Sequence, residues 1–281
     1  MDITPEGALP LMFEHEVGST NDVATDEARA GAPHGWAICA ERQVSGRGRR
    51  GHAWSSPAGS LSLSVVVRPE VPMSQLIAVP ALAGMGVMDA LASLGLAGRV
   101  GIKWPNDIVV RTSGEGGFDR KLVGILVEGR SGDAGPFAVV GIGINREPVQ
   151  MDASELAQGR APGGPRALPP VSLAELLGEG APELPRLAAL VRDAVVARVD
   201  AWAAALAARP AAGPLAPILS EYFDMVPLMG HEVAVLTPEG RVVDTGAFSG
   251  LDVWGRACVR TPRGEKSYPA EAVSLRALDQ L

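Results

Sequence analysis

Cysteine, aromatic residues and positive charge are all scarce in this chain, and each scarcity closes off a class of protein. Only two cysteines, Cys39 and Cys258, occur in 281 residues. They lie far apart in strand-like surroundings, whereas a disulfide framework or a structural zinc site needs more ligands at closer spacing. Both therefore read as buried thiols in a reducing, cytoplasmic setting. Aromatic residues make up 4% of the chain, which leaves the core to Val, Leu, Ile and Ala. Lys and Arg number 25 against 32 Asp and Glu, and the net charge of −7 argues against a broad nucleic-acid-binding surface. His15, His34, His52 and His231 are scattered, and no Ser/His/Asp arrangement or metal-ligand cluster stands out. Met1–Phe13 has no basic flank and only a brief apolar run, so it does not read as a signal peptide. One apolar segment, Leu76–Ala97, would attract a hydropathy scan. Pro80, Asp89 and its many small residues mark it as a buried core helix, and no membrane partner is expected.

Against this acidic background stands a local run of positive charge, Gln43-Val44-Ser45-Gly46-Arg47-Gly48-Arg49-Arg50-Gly51-His52-Ala53-Trp54. Three arginines are interleaved with three glycines. Glycine lets a backbone approach a ligand closely, and arginine presents planar donor forks to phosphate oxygens. The segment is short and lies between strand-like Trp36–Glu41 and Ser60–Val67, so it is a loop inside a folded domain rather than a nucleic-acid tail. From composition alone, a phosphate-binding loop and a solvated turn both remain open.

The length suits one large domain or two unequal ones. Residues 14–18 read as a strand, followed by the polar break Ser19-Thr20-Asn21-Asp22 and a helix over Val23–Ala30. Thr20 or Asn21 could cap that helix, and a helix N-terminus also suits a bound carboxylate. In Ser60–Val67 the alternation of Leu61, Leu63, Val65 and Val67 with Ser62, Ser64 and Val66 predicts a half-buried strand. A helix over Ser74–Leu94 is followed by short strands Gly101–Trp104 and Ile108–Val110, joined at Pro105-Asn106-Asp107. Leu122–Glu128 and Ala138–Ile144 continue the sheet across a polar connection at Gly129–Gly135, and Ser113–Phe118 reads as a hairpin tip. Residues 146–171 lack periodicity and read as a long surface connection. Leu184, Leu187, Val191, Val195, Val199 and Trp202 mark an amphipathic helix to about Ala208, before a Pro/Ala/Gly linker at Ala211–Pro217. After Tyr222, turns at Pro238-Glu239-Gly240, Asp252–Gly255 and Pro262-Arg263-Gly264 separate five short strands, the spacing of a small barrel.

Four further segments carry chemistry: Gly101-Ile102-Lys103-Trp104-Pro105-Asn106-Asp107, Arg120-Lys121-Leu122-Val123-Gly124-Ile125-Leu126-Val127-Glu128, Val140-Gly141-Ile142-Gly143-Ile144-Asn145, and the Ser19-Thr20-Asn21 break. Singly, each has a plain explanation: surface lysines, close strand packing at the glycines, a cap, a turn. Together and in this order with the Arg/Gly loop, they resemble the biotin protein ligase family, also called biotin–acetyl-CoA-carboxylase ligase, from about Glu14 to Asn145.

The resemblance implies an α+β fold: a mixed-sheet, class II synthetase-like catalytic domain over residues 1–217 and a small SH3-like barrel over 218–281. It implies two half-reactions. Biotin and ATP give biotinyl-5′-AMP and pyrophosphate, and a lysine of a biotin carboxyl carrier protein then takes the biotinyl group. By motif match, Ser19, Thr20, Asn21 and Gln43 would hold biotin, and Gly124, Leu126, Gly143 and Ile144 would line its slot. Arg47, Gly48, Arg49 and Arg50 would close over the adenylate with Trp54, while Asn106 and Asn145 would face the nucleotide. Lys121 would contact carboxylate and α-phosphate, with Lys103 and Arg47 as further cations and Asp107 as a candidate proton acceptor or a merely structural turn residue. Mg²⁺ would enter with ATP, and no protein metal site is read. Only 13 residues precede Glu14, too few for the DNA-binding domain of many bacterial members, so an enzyme without DNA affinity is expected. A homodimer stays open. The rival readings are a lipoate–protein ligase, which shares the adenylate logic, and a non-enzymatic interaction module built on the Arg/Gly loop, which leaves Lys103, Lys121 and the glycine pairs unexplained.

Overall fold

The computed structural model describes residues 1–4, 8–49, 54, 59–111, 118–149 and 168–278. A seven-stranded sheet has the order β1-β2-β3-β7-β6-β5-β4. Its strands are β1 (Leu11–Val17), β2 (Ala37–Gln43), β3 (Leu61–Val67), β4 (Val100–Lys103), β5 (Asp107–Val110), β6 (Arg120–Gly132) and β7 (Gly135–Ile144). Helix α1 (Thr20–Arg29) connects β1 to β2, which pair in parallel, and every other pair in this sheet is antiparallel. The sheet is therefore mixed, as the resemblance implies.

The alternation of side chains sorts the sheet into two faces. Leu61, Leu63, Val65, Val140, Ile142, Val123 and Ile125 pack against helices α2 (Val79–Leu91) and α4 (Leu184–Ala208) in the main core. Burial of each such Val or Leu contributes about 1.5–3 kcal/mol. The two helices approach closely because α2 carries small residues where they cross. A Cβ added at Gly86 would lie 2.7 Å from the Cα of Val195. Asp89 of α2 also pairs with Arg198 of α4, at 2.8 Å between Nη2 and Oδ1. Met73–Leu96 is long and apolar enough to cross a membrane by length and composition, and 72% of its apolar window is buried inside the fold. That burial is what the core-helix reading requires.

On the opposite face Ile38, Val66, Phe137 and Val139 lie under Ala24 and Ala28 of α1. Here β3 departs from expectation: all seven of its residues are buried, Ser62 and Ser64 included. The second face is covered by α1 and by the residues of the candidate site rather than by solvent.

Several local readings shift. The first strand begins three residues earlier, at Leu11, and α1 starts at Thr20. The Gly129–Gly135 connection is mostly strand, closed by a turn at Asp133-Ala134 with Gly135 at φ 98°. The 113–118 hairpin tip, apart from Phe118, lies outside the described residues, as do 150–167. The end of the 146–171 segment is not a free surface connection. Its last residues run beside β6, where the Lys121 N–H donates to the Pro169 carbonyl and the Val171 N–H to the Lys121 carbonyl. Ser172 then caps helix α3 (Leu173–Leu177) through a reciprocal pair with Glu175. Cys39 is buried and its thiol is pushed up to about 12 by desolvation, but Cys258 is partly exposed rather than buried.

Helix α5 (Leu219–Asp224) leads into a second sheet of β8 (Glu232–Leu236), β9 (Val242–Leu251), β10 (Ala257–Thr261), β11 (Gly264–Tyr268) and β12 (Ser274–Ala277). Its pairing is antiparallel throughout, in the order β11-β10-β9-β8-β12. Among the described residues, β11 and β12 stand at its two edges rather than pairing with each other.

Candidate active site

One lateral row of the large sheet organises the site. Reading across six strands, Ala40 is paired with Ser62, Ser62 with Gly143, Gly143 with Gly124, Gly124 with Asp107, and Asp107 with Lys103. At the usual strand spacing the row is about 24 Å long. Side chains along it go from small and neutral, through two glycines with none, to a carboxylate and an ammonium. The next row, Ser64–Gly141–Leu126, runs beside it. The missing side chains make a trough, and bulk added there collides with neighbours. A Cβ at Gly124 would lie 2.6 Å from the Trp54 ring, and at Gly143 it would run into the same indole. A Cβ at Gly141 would run into the Asn21 side chain.

At the neutral end, Ser19, Thr20 and Asn21 are buried. Ser19, not Thr20 or Asn21, occupies the cap position of α1, and its side chain makes no capping bond. Thr20 donates to Gln43 Oε1 from its backbone N–H at 2.8 Å, and its hydroxyl lies 3.0 Å from the same oxygen. Ser64 Oγ lies 2.8 Å from Thr20 Oγ1 and 2.6 Å from Asn21 Oδ1. Asn21 Nδ2 donates to Glu128 Oε2 at 2.9 Å.

At the charged end, Lys121 Nζ is 2.7 Å from Asp107 Oδ1 and 5.3 Å from the centre of the Trp54 ring. Its position depends on a β-bulge. The β5–β6 register shifts so that Ile108 faces Val123 while Val109 faces Lys121, skipping Leu122. Leu122 and Val123, adjacent in sequence, both enter the main core, and Lys121 is thrown onto the trough side, 3.3 Å from where a Gly124 Cβ would be. Strict alternation would have sent Lys121 toward the helices with Val123 and Ile125. Re-aiming of one side chain is what a bulge does.

Burial pushes the Lys103 ammonium down to about 8, and neighbouring Arg276 pushes the same way while Asp107 opposes them. Burial alone would raise the Asp107 carboxyl, but Lys121, Lys103 and Arg276 together hold it below the usual carboxylate range. Arg276 comes from β12, so the small sheet supplies a cation to this end. Arg49 also ties the two sheets together: it donates to the Ala270 carbonyl at 2.7 Å and reaches Asn106 Oδ1 at 3.5 Å. Asn106 in turn donates to the Ile125 carbonyl at 2.9 Å, fixing the turn before β5.

The motif residues are thus brought together with some differences. Arg47 lies toward the neutral end, where it holds Asp22 with a two-pronged contact of 2.6 and 2.7 Å and stands 3.7 Å from Glu128. Gly48 lies between it and Arg49, while Arg50 and His52 fall outside the described residues. Leu126 faces the trough, but the Ile144 side chain is buried in the helix-side core opposite Leu61 and Val123. Only the Ile144 backbone borders the site. Asn145 is buried, and its amide donates to the Lys121 and Val171 carbonyls at 3.3 and 3.2 Å, so it ties β6 and the 168–172 segment to β7. Sequence reasoning missed Asp22, Ser62, Ser64, Glu128 and Arg276. The serines were visible in the alternation of β3. Nothing in the local sequence of Arg276 marks it, because its contacts come from another sheet.

The family model described as biotin/lipoate A/B protein ligase family matches residues 15–145. A biotin–[acetyl-CoA-carboxylase] ligase of Paracoccus denitrificans is 31% identical over 91% of this chain and 96% of its own length. The enzyme of the same description from Mycobacterium tuberculosis is 33% identical over 87% of this chain and 80% of its own. In fold, the chain resembles a biotin protein ligase from Aquifex aeolicus in complex with biotin and ATP, with a TM-score of 0.70, 23% identity and coverage of 95% of this chain and 98% of that one. Likeness that extends through nearly the whole of a curated relative, and not through the motif region alone, makes this chain a member of the biotin protein ligase family.

Proposed function

We propose that this protein attaches biotin to a specific lysine of a biotin carboxyl carrier protein, using ATP and passing through biotinyl-5′-AMP. Curated relatives described as biotin–[acetyl-CoA-carboxylase] ligases and fold neighbours described with biotin and ATP support it. The single observation that carries the reading is the gradient along the Ala40–Lys103 row. It pairs a neutral hydrogen-bonding end with a cationic end across a glycine-floored trough that the Trp54 indole covers. Biotin has the matching asymmetry: a neutral ureido ring at one end, an apolar chain, and a carboxylate at the other.

Biotin lies with its ureido group at Ser19, Thr20, Asn21 and Gln43 and its chain over Gly143, Gly124 and Leu126. Its carboxylate then reaches Lys121. A carboxylate is ionised at neutral pH, so the first step needs no base. One carboxylate oxygen attacks the α-phosphorus, the bond to the β-phosphate oxygen breaks, and pyrophosphate leaves. The difficulty is bringing an anion to a polyphosphate. Lys121, Lys103, Arg49 and Arg276 meet it with fixed positive charge in a site shielded from water. Among the described residues no cluster of three His, Cys, Asp or Glu could hold a metal ion. Mg²⁺ would enter with ATP, where it would neutralise phosphate charge. In the second step a neutral lysine amine attacks the anhydride carbonyl, the bond from that carbonyl carbon to the phosphate oxygen breaks, AMP departs, and the proton shed by the nitrogen passes to solvent or to the leaving phosphate. A carboxyl held as low as Asp107 is a weak proton acceptor, so Asp107 acts there as a fixed negative charge that orients Lys121 and draws in the acceptor amine. Trp54 rests on both glycines in this structure, so its indole moves off them as biotin's chain enters and then covers the labile anhydride.

Residues 1–217 serve as the catalytic domain and 218–281 as an SH3-like barrel. The support is five short antiparallel strands separated by the three glycine-containing turns. The chain's net charge of −7 and the commitment of its basic cluster to this site favour a cytoplasmic enzyme without DNA affinity.

Pyrophosphate release with ATP plus biotin, lipoate or neither tests the reading, followed by mass spectrometry of a carrier domain. Release with biotin and a biotinylated carrier lysine is expected. Release with lipoate in preference to biotin would transfer the chain to the lipoate branch, and no release with either would remove the ligase reading.

A further inference from the structure

Among the described residues, Glu128 is a carboxylate that touches both Asn21 at the neutral end of the trough and Arg47 of the Arg/Gly loop. It stands on the trough side of β6, two residues beyond Leu126 and four beyond Gly124, and its side chain is only 20% exposed. Its Oε2 accepts from Asn21 Nδ2 at 2.9 Å and lies 3.7 Å from the Arg47 guanidinium. Its Oε1 accepts from Arg130 at 2.9 Å.

The proton arithmetic of the neutral end shows what this contact does. A carboxylate can only accept, so Glu128 obliges Asn21 to turn its NH₂ toward it and its carbonyl toward Ser64. The Asn21 carbonyl then needs a donor, and Ser64, at 2.6 Å, has a single proton to give. Ser64 then has no second proton for its 2.8 Å contact with Thr20 Oγ1, and the Thr20 hydroxyl proton has both Ser64 Oγ and Gln43 Oε1, at 3.0 Å, within reach. Gln43 Oε1 stays satisfied by the Thr20 N–H. One fixed charge thus sets the direction of a chain of hydrogen bonds, Ser64 to Asn21 to Glu128, and leaves the Asn21 amide and the Ser64 hydroxyl in one arrangement. Meanwhile the same carboxylate, with Asp22, holds Arg47 at the start of the loop.

We infer that Glu128 is a positioning residue that couples the biotin-recognising end to Arg47: it sets the direction of the Ser64–Asn21 hydrogen bonds and tethers the Arg47 guanidinium, so that Arg47 keeps its place while biotinyl-5′-AMP is held. The inference rests on the proposed function for the identity of the ligand, and deepens it. Ser64 belongs to the hydrogen-bond chain alone, with no contact to Arg47, which makes it the internal comparison.

Two variants separate the roles. Glu128→Gln keeps a carbonyl that can accept from Asn21 but removes the charge that holds Arg47. Ser64→Ala removes the donor on which the Asn21 carbonyl depends. Biotin affinity is measured by calorimetry without ATP, the dissociation rate of preformed biotinyl-5′-AMP by rapid dilution, and folding by thermal melting. For Ser64→Ala, biotin affinity falls about tenfold, the order expected when a buried polar group loses its partner. Adenylate loss rises by the same factor. For Glu128→Gln, biotin affinity stays within about twofold while adenylate loss rises about threefold, the size of a partly exposed ion pair. A Glu128→Gln protein that leaves both quantities unchanged, or shifts both equally along with its melting temperature, overturns the coupling and leaves Glu128 structural. Absence of biotin binding in the unsubstituted protein is a different failure, and falls on the proposed function instead.

Discussion

The two ends of the trough are built on opposite principles. Around Thr20 the polar side chains are neutral and satisfy one another: Ser64, Asn21 and Gln43 form a closed set of hydrogen bonds with Glu128 as terminal acceptor. Around Asp107, cations exceed anions, with Lys121, Lys103 and Arg276 crowding one carboxylate. A satisfied network fixes geometry and so discriminates between ligands, because a wrong ligand leaves buried groups unpaired. A surplus of charge discriminates little but stabilises any anionic transition state placed within it. On the proposed function, recognition and chemistry are thus separated by the width of two glycines.

Substitutions can break that division, and the largest effect belongs to the charged end. Lys121→Ala should slow adenylate formation by roughly two to three orders of magnitude, since loss of one preorganised donor costs on the order of 3 kcal/mol. Biotin affinity should change far less. Single-turnover pyrophosphate release near the unsubstituted rate would remove Lys121 from the chemistry.

Filling the trough comes next. Gly143→Val would drive a side chain into the Trp54 indole, and overpacking of this kind costs about 1–3 kcal/mol. Biotin affinity should fall about ten- to hundredfold while ATP affinity is nearly kept. Equal losses for both ligands in calorimetry would place the trough elsewhere.

A pH profile sharpens the contrast, because only the charged end titrates near neutrality. Lys103 is lowered to about 8, so in the free enzyme it loses its charge as pH passes that value. kcat/KM for ATP in the adenylation step should fall roughly tenfold per pH unit above that midpoint, and Lys103→Met should lack this limb. The same shift has a stability consequence. Between about 8 and the ordinary lysine value the unfolded chain binds more protons, so this group's contribution makes the fold more stable as pH rises through that window. A flat kcat/KM profile, identical in the Lys103→Met protein, would contradict the assignment.

The smallest effect is expected at the exposed Arg47–Asp22 pair. Exposed pairs contribute about 0–1 kcal/mol, so Asp22→Asn should speed adenylate loss no more than about fivefold. Arg47→Gly, which also removes the contact to Glu128, should exceed it and raise stray labelling of bystander proteins such as albumin. Unchanged retention and no stray labelling with Arg47→Gly would return that part of the loop to a solvated turn.

Much of this arrangement was legible in the residues themselves, and the exceptions share a cause. The helix over Leu184–Ala208, the strands and the placement of the motifs along them follow from periodicity and turn chemistry. The Ser19–Asn21 break, Gly124, Gly143 and Lys121 do come together on one face. What escaped depended on partners distant in sequence. The family resemblance places Ile144 in the slot by motif match, yet alternation puts its side chain on the face opposite Gly143. The resemblance turns Asn145 toward the nucleotide, whereas its side-chain amide donates to the Lys121 and Val171 carbonyls, the second in a segment that returns from far along the chain. Arg276 is 155 or more positions from Lys121, and no local pattern can reveal a contact made between two sheets. Within β3, the alternation itself was read correctly, but its polar positions were assigned to solvent rather than to a buried network.

The skipped residue in β6 has a consequence beyond geometry. Along most of the strand, position parity decides destiny: odd numbers go to the core and even numbers to the trough. At Leu122 the parity is reset, so the strand is written in two phases, one for the segment that lines the trough and one for Lys121 beside Asp107. A single strand can therefore give consecutive Leu and Val to the hydrophobic interior and still present a lysine and a glycine side by side to the ligand. Lengthening or shortening this stretch by one residue would leave the composition of the site nearly intact while exchanging which side chains face it.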